Sequence, residues 1–267
     1  MGINASLVKK ASMVIQFAPL EIETHLPPFD ITKIPYKDRD SAMMIWNSVS
    51  ALSNYGETFG AAVQLFEFAL SHAQELWAMR PPQPTEGSLD EIIAIGDSRQ
   101  AILNEIMPRF KLFQEWQSIA ARDGAISIFN VIEAMNGIKS SVFACPSIRA
   151  LVDRGAFGEA ERILEGRFPD YVSIRHAVAH AGEFLSREKE RRKHSVSAGL
   201  DDGRFKPAGA TLFVGPSLNG REFAVTARGK LLKYEVSPES FEHIKSAILT
   251  FQAAFHPAIN PFHFRAR

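Results

Sequence analysis

Cysteine is almost absent from the chain. Cys145 is the single cysteine among 267 residues, so an intramolecular disulfide framework is excluded and the composition fits a reducing compartment. A catalytic thiol needs a neighbouring base and an electropositive setting, whereas Cys145 stands in the stretch Val-Phe-Ala-Cys-Pro. We therefore interpret Cys145 as a small buried residue.

Long hydrophobic runs and an excess of charge are also missing. No apolar stretch approaches the ~20 residues that span a bilayer, and Met13-Val14-Ile15 is too short for the core of a signal peptide. The 30 basic and 30 acidic residues cancel, which disfavours a protein that coats nucleic acid electrostatically but not an enzyme that contacts a few phosphates. The sequence predicts a cytoplasmic protein without membrane association.

Motifs that hold nucleotide cofactors are absent too. The chain contains no Gly-x-Gly-x-x-Gly, Walker or Gly-x-Ser-x-Gly sequence, so no cofactor and no elbow-type serine nucleophile are predicted.

Hydrophobic periodicity predicts a mainly α-helical fold. Apolar residues recur at helical spacing over 41–52 and 59–79, which form one long helix or two, and over 97–121, 125–142 and 170–194. Gly56 and Gly60 are the expected irregularity near the junction of 41–52 and 59–79, and Pro108 is expected to kink or split the helix over 97–121. Asp123-Gly124 is expected to restart the chain before 125–142.

Near the C-terminus the period changes to two, which indicates strands. The candidates are 211–214, 222–226 and 231–236, with Arg228-Gly229 as a tight turn between the last two. Ser237-Pro238 then begins a final helix. We expect an extended N-terminal arm over residues 1–37, a helical bundle over 38–194, and a small antiparallel β-hairpin followed by a helix, packed on the bundle, over 195–267.

The most informative stretch runs from Pro169 to Leu185. Asp170 is expected to cap a helix that continues to His194. One face carries an apolar stripe, and the opposite face carries polar residues, which are His176, His180, Glu183 and Arg187. Arg175 lies on the flank. The surface between Arg175 and His180 carries small residues, Val172, Ala179 and Gly182, which would let another helix approach closely.

The sequence Arg175-His176-Ala177-Val178-Ala179-His180 has the form arginine, polar residue, three residues, histidine. It resembles the signature of the HEPN superfamily, helical domains of prokaryotic toxins, phage-defence proteins and RNA-processing nucleases. The resemblance covers roughly residues 123–194. It implies a homodimer in which two copies of the motif face one another across a cleft, RNA as the substrate, and an antitoxin-like or other protein partner.

The resemblance also implies a metal-independent endoribonuclease with Arg175, His180 and His176 as catalytic residues. His180 would act as the acid/base on a ribose 2′-hydroxyl or a leaving 5′-oxygen. Arg175 would hold the scissile phosphate, and His176 would orient either residue or contact the substrate. Such cleavage leaves a cyclic phosphate and a 5′-hydroxyl.

Two alternatives stay open. His176, His180 and Glu183 have the spacing of metal ligands on one helix face, although Ala177 occupies the place where a zinc protease carries its glutamate. The chain could also be a non-catalytic binding or assembly module, in which Arg175 pairs with Glu183 or Glu165 across a dimer interface. The other histidines are scattered without ligand spacing: His25, His72, His194, His243, His256 and His263.

Overall fold

The computed structural model describes residues 20–23, 26–81, 88–196 and 212–260. The expected mainly α fold is confirmed, with a small antiparallel sheet and a helix at the C-terminal end. Within the described ranges, no helix is both long and apolar enough to cross a bilayer. His25, His263, Thr211 and most of the expected N-terminal arm lie outside the described residues.

The helices and strands follow one another in a simple order. The helices before the sheet are α1 (Arg39–Ser50), α2 (Leu52–Ala78), α3 (Leu89–Ala144), α4 (Pro146–Arg149), α5 (Arg154–Arg167), α6 (Tyr171–Ala179), α7 (Ala181–Ser186) and α8 (Glu188–His194). The sheet contains β1 (Ser217–Asn219), β2 (Glu222–Ala227) and β3 (Lys230–Glu235), and α9 (Pro238–Ala253) follows it. Short 3-10 turns cover Ile31–Lys33, Tyr36–Asp38 and His256–Ala258.

The longest helix, α3, is continuous over 56 residues, or about 84 Å at 1.5 Å per residue. Of the kink or split expected at Pro108, the split is therefore wrong, and so is the restart at Asp123-Gly124. Pro108 is exposed, so water can satisfy the carbonyl that its missing N–H leaves unpaired. Gly124 lies within the helix at a position where Tyr234 of β3 occupies the space that a side chain would need. A Cβ at position 124 would lie 2.9 Å from the Tyr234 hydroxyl oxygen.

The expected interruption at Gly56 and Gly60 is also misplaced, since the break between α1 and α2 falls at Ala51. Both glycines lie inside α2, where neighbouring segments approach its backbone. A Cβ at Gly56 would meet Ile248 of α9 at 2.6 Å, and a Cβ at Gly60 would meet the carbonyl oxygen of Leu20 at 2.9 Å. The absence of a side chain therefore permits close packing rather than a bend.

The sheet has the order β1-β2-β3, and every pair is antiparallel. The expected hairpin is present, with Ala227 paired to Lys230 around the Arg228-Gly229 turn. The first strand candidate is misplaced, because Leu212 makes an isolated bridge to Val196 and β1 begins only at Ser217. Both α6 and α8 contact β2, so the sheet lies against the helices that carry the candidate site.

Candidate functional site

The expected single helix from Asp170 to His194 is wrong, because the chain breaks twice. His180 (φ −109°, ψ 17°) ends α6 and begins α7, and Arg187 (φ −112°, ψ 113°) separates α7 from α8. Asp170 occupies the N-cap position of α6, but its side chain makes no capping hydrogen bond. Its backbone (φ −109°, ψ 19°) is outside the extended conformation from which a capping side chain reaches the first amides.

The two breaks fold α8 back toward α6. In one straight helix, His176 and His194 would lie about 27 Å apart along the axis. Their ring centroids are instead 6.5 Å apart. Phe184 lies between them, stacked on His194 at 3.9 Å and 5.9 Å from His176. His180 completes the group at 4.6 Å from His176. We call His176, His180, His194 and Phe184 the histidine cluster.

His194 is the most deeply buried member, with 1% of its surface exposed. Its Nδ1 accepts a hydrogen bond from the backbone N–H of Arg228 at 3.2 Å, so the ring proton lies on Nε2, which faces Glu190 Oε2 at 3.6 Å. Burial lowers the pKa of His194, and the charges of Lys193 and Arg228 lower it further. His194 is therefore a neutral imidazole of fixed tautomer near neutral pH.

His180 is accessible, with 39% of its side chain exposed. Its Nδ1 lies 3.2 Å from Glu183 Oε1. An ionised carboxylate only accepts hydrogen bonds, so Nδ1 carries the donated hydrogen. No described residue hydrogen-bonds to Nε2, which leaves that nitrogen for a substrate. This is the way in which a carboxylate orients a catalytic histidine.

His176 is half-buried beside His180. Burial lowers its pKa, as do the neighbouring His180, Arg228, His194 and Arg175. The imidazole is therefore neutral at pH 7, because its ordinary pKa of about 6.5 is already below that pH.

Arg175 lies on the side of α6 that faces α3. Its guanidinium carbon is 5.0 Å from the ring centroid of Phe129, within the range of a cation–π contact. Of the residues that the resemblance implicates, the structure thus brings His176 and His180 together and holds Arg175 over an aromatic ring. Val172, Ala179 and Gly182 are all exposed, as expected for a surface that another helix could approach.

Sequence reasoning missed three contributors to this region. His194 was grouped with the scattered histidines, Arg228 was considered only as a turn residue, and Glu183 was not expected to orient His180. The spacing of His180 and Glu183 at i and i+3 carried a local signal. The contact between Arg228 and His194 joins residues 34 positions apart, and no local pattern indicates it.

A metal centre is not supported. Within the described ranges, no three histidine, cysteine, aspartate or glutamate side chains are placed to hold a metal ion. The alternative built on His176, His180 and Glu183 therefore lacks the convergence that a metal requires.

Comparison of the whole chain with known protein families, curated proteins and solved structures gives no match.

Proposed function

We propose that the protein is a metal-independent endoribonuclease of HEPN type in which His180 is the acid/base group. The observation that carries this proposal is the pairing of the accessible His180 with Glu183 beside a second, neutral imidazole. The chain also places the guanidinium of Arg175 on the same helix, α6. Imidazole and guanidinium are groups that can cleave a phosphodiester without a metal ion.

The reaction is an internal transfer within RNA. Nε2 of His180 takes the proton from a ribose 2′-hydroxyl, and the 2′-oxygen forms a bond to the adjacent phosphorus. Glu183 stabilises the imidazolium that results. The bond from phosphorus to the 5′-oxygen breaks, and the imidazolium returns its proton to that oxygen, which leaves a 2′,3′-cyclic phosphate and a 5′-hydroxyl. His176, as a neutral imidazole, orients the substrate by hydrogen bonding.

Arg175 supplies positive charge to the scissile phosphate. Its packing on Phe129 restricts the long side chain, so less conformational entropy is lost when it binds an anion. A guanidinium held in this way stabilises charge that develops in the transition state.

We further propose a cytoplasmic homodimer joined through the exposed small residues of α6 and α7, with an antitoxin-like or other protein partner. The second candidate function is a non-catalytic dimeric binding module. One observation favours it: Val172 is 49% exposed next to the exposed Ala179 and Gly182, which suits helix-to-helix contact whether or not chemistry occurs there.

The test is cleavage of a mixed RNA pool in excess EDTA. We expect His180→Ala and Arg175→Ala to abolish cleavage, and Glu183→Gln to lower it by about 10²-fold or more, because the imidazole loses its orienting carboxylate. His72 and Glu75 form a matched control, since they make the same i, i+3 contact on α2, with Nδ1 2.9 Å from Oε2. Glu75→Gln should leave cleavage unchanged.

Two results would decide against the nuclease. One is cleavage that survives His180→Ala. The other is the absence of cleavage under every condition while the wild type is a dimer and Val172→Arg is a monomer, which would establish the binding module instead.

A further inference from the structure

Three arginines, here called the basic rim, lie along α8 and in the hairpin turn, the two elements that meet at His194 of the histidine cluster. They are Arg187, which immediately precedes α8, Arg191 within α8, and Arg228 in the turn between β2 and β3. All three are exposed, and no described carboxylate pairs with any of them. Their neighbours differ, since Arg192 lies 2.6 Å from Glu188 and Lys193 lies 3.5 Å from Glu190. The rim therefore carries positive charge that no described carboxylate neutralises.

The residues of the basic rim come from two elements, α8 and the turn between β2 and β3, which meet at His194. Arg191 is three residues before His194 on α8, so the two residues are neighbours on one face of that helix. Arg228 arrives from the sheet and donates its backbone N–H to Nδ1 of His194 at 3.2 Å. Its charge also contributes to the lowered pKa of both His176 and His194.

The turn at Arg228 is built in an unusual way. Arg228 has a φ of 49° and is the only non-glycine residue with positive φ in the described part of the chain. Gly229 follows with a φ of 77°, and asparagine or aspartate before that glycine is the ordinary choice for such a hairpin. An arginine in this conformation is strained, so the sequence tolerates strain at the point where the backbone of Arg228 contacts the cluster.

We propose that the basic rim binds the backbone phosphates of single-stranded RNA that flank the bond presented to His180. The inference rests on the proposed function and deepens it by assigning the substrate path. Arg187 immediately precedes α8 and Arg191 follows four residues later, so their backbones are about 6 Å apart along the helix axis, which is comparable to the separation of successive phosphates in an extended strand. Contacts of this kind hold the strand in register and carry no sequence information.

The test measures binding separately from cleavage. The probe is a fluorescent, mixed-sequence 2′-O-methyl RNA single strand, which lacks the free 2′-hydroxyl needed for cleavage, and its affinity is measured by anisotropy over a range of salt concentrations. The variant is Arg191→Gln with Arg228→Asn, because asparagine suits the left-handed backbone at position 228. The control is Arg192→Gln on the same helix.

We expect the double variant to bind about tenfold more weakly. The slope of log affinity against log salt should fall by about 1.4, or ~0.7 for each lost phosphate contact on a single strand. The control should change affinity less than twofold. Equal binding by the double variant and the wild type would overturn the assignment, and so would tighter binding of duplex DNA than of the single strand.

This result is separable from the fate of the nuclease. Suppose that the wild type binds the RNA strand in a salt-dependent way, that the double variant does not, and that the wild type does not cleave ordinary RNA. The proposed reaction is then refuted, while the assignment of the basic rim as a phosphate-binding surface stands. If the double variant cleaves RNA as fast as the wild type at substrate concentrations below KM, the proposed reaction stands and the assignment of the basic rim is refuted.

Discussion

Replacing Gly124 with alanine tests how the C-terminal sheet is joined to α3. The Tyr234 side chain enters the surface of α3, where its hydroxyl donates a hydrogen bond to the carbonyl oxygen of Ala121. Burial keeps the pKa of Tyr234 well above its usual value, so the hydroxyl retains its proton. An alanine Cβ at position 124 would lie 2.9 Å from that hydroxyl oxygen and 3.3 Å from Cε2 of Phe59.

The magnitude follows from three terms. Overpacking between two buried rings costs about 1–3 kcal/mol. Relief by displacement of Tyr234 leaves a buried hydroxyl unsatisfied, at a similar cost of about 1–3 kcal/mol. Alanine recovers about 1 kcal/mol of helix propensity relative to glycine. Overpacking and displacement are alternative responses, so we expect the net loss in the free energy of unfolding for Gly124→Ala to be centred on about 1 kcal/mol and to reach about 2 kcal/mol.

Gly137 provides the control on the same helix, because a Cβ there meets no atom within 4 Å. Gly137→Ala should raise the free energy of unfolding by roughly 0.5–1 kcal/mol. Urea denaturation followed by circular dichroism measures the free energy of unfolding of both variants. In thermal denaturation, each kcal/mol corresponds to a shift of about 2–4 °C in Tm.

A double-mutant cycle with Tyr234→Phe isolates the clash. Phenylalanine removes the hydroxyl, so Gly124→Ala should cost less in that background than in the wild type. The reasoning fails if Gly124→Ala is as stable as the wild type, or if its cost is the same with phenylalanine at position 234.

Two further predictions concern stability. Because burial lowers the pKa of His194 in the folded state, the unfolded chain binds more protons below pH ~6.5, and the folded protein should lose stability as the pH falls from 7 to 5. The variant His194→Asn retains an acceptor for the Arg228 N–H but cannot be protonated, so its denaturation midpoints should depend less on pH across this range. An unchanged dependence would exclude His194 as a source of the pH-dependent loss of stability. Ser237 Oγ caps α9 by accepting from the Ser240 N–H at 3.2 Å, so Ser237→Ala should cost about 1 kcal/mol. Thermal denaturation of Ser246→Ala, at an exposed position of the same helix, should show a change within about 0.5 kcal/mol, and an equal loss in both variants would contradict the capping role.

The helical class and the hairpin were predictable because both depend on local patterns. Apolar periodicity located most helical segments, and the Arg228-Gly229 pair located the turn between β2 and β3. The interruptions were less predictable, since proline and glycine were taken as breaks. Pro108 is tolerated at an exposed position of α3, and Gly124 is required there by Tyr234, which lies 110 residues further along the chain. Such non-local packing leaves no periodic signal.

The contacts of the candidate site likewise include some that follow from local sequence and others that depend on distant packing. His176 and His180 are one helical turn apart, so their contact follows from helix geometry. The position of Arg175 over Phe129 depends on how α6 packs against α3, which a single stretch does not reveal. His194 and Arg228 meet through a backbone hydrogen bond between a helix end and a turn, and any residue type at position 228 other than proline could donate it.

The breaks at His180 and Arg187 explain why an ordinary charged helix end becomes part of a candidate site. The run from Arg187 to Lys193 would be a solvated extension of α6 if the helix were straight, remote from His176. With both breaks, the His194 ring stacks on the Phe184 ring at 3.9 Å, so the C-terminal end of α8 lies at the histidine cluster. His180 serves both as the end of α6 and as the member of the cluster that Glu183 orients. The residue proposed to act on RNA is therefore also the residue at which the backbone turns, and its backbone conformation and its side-chain environment are set by the same local geometry.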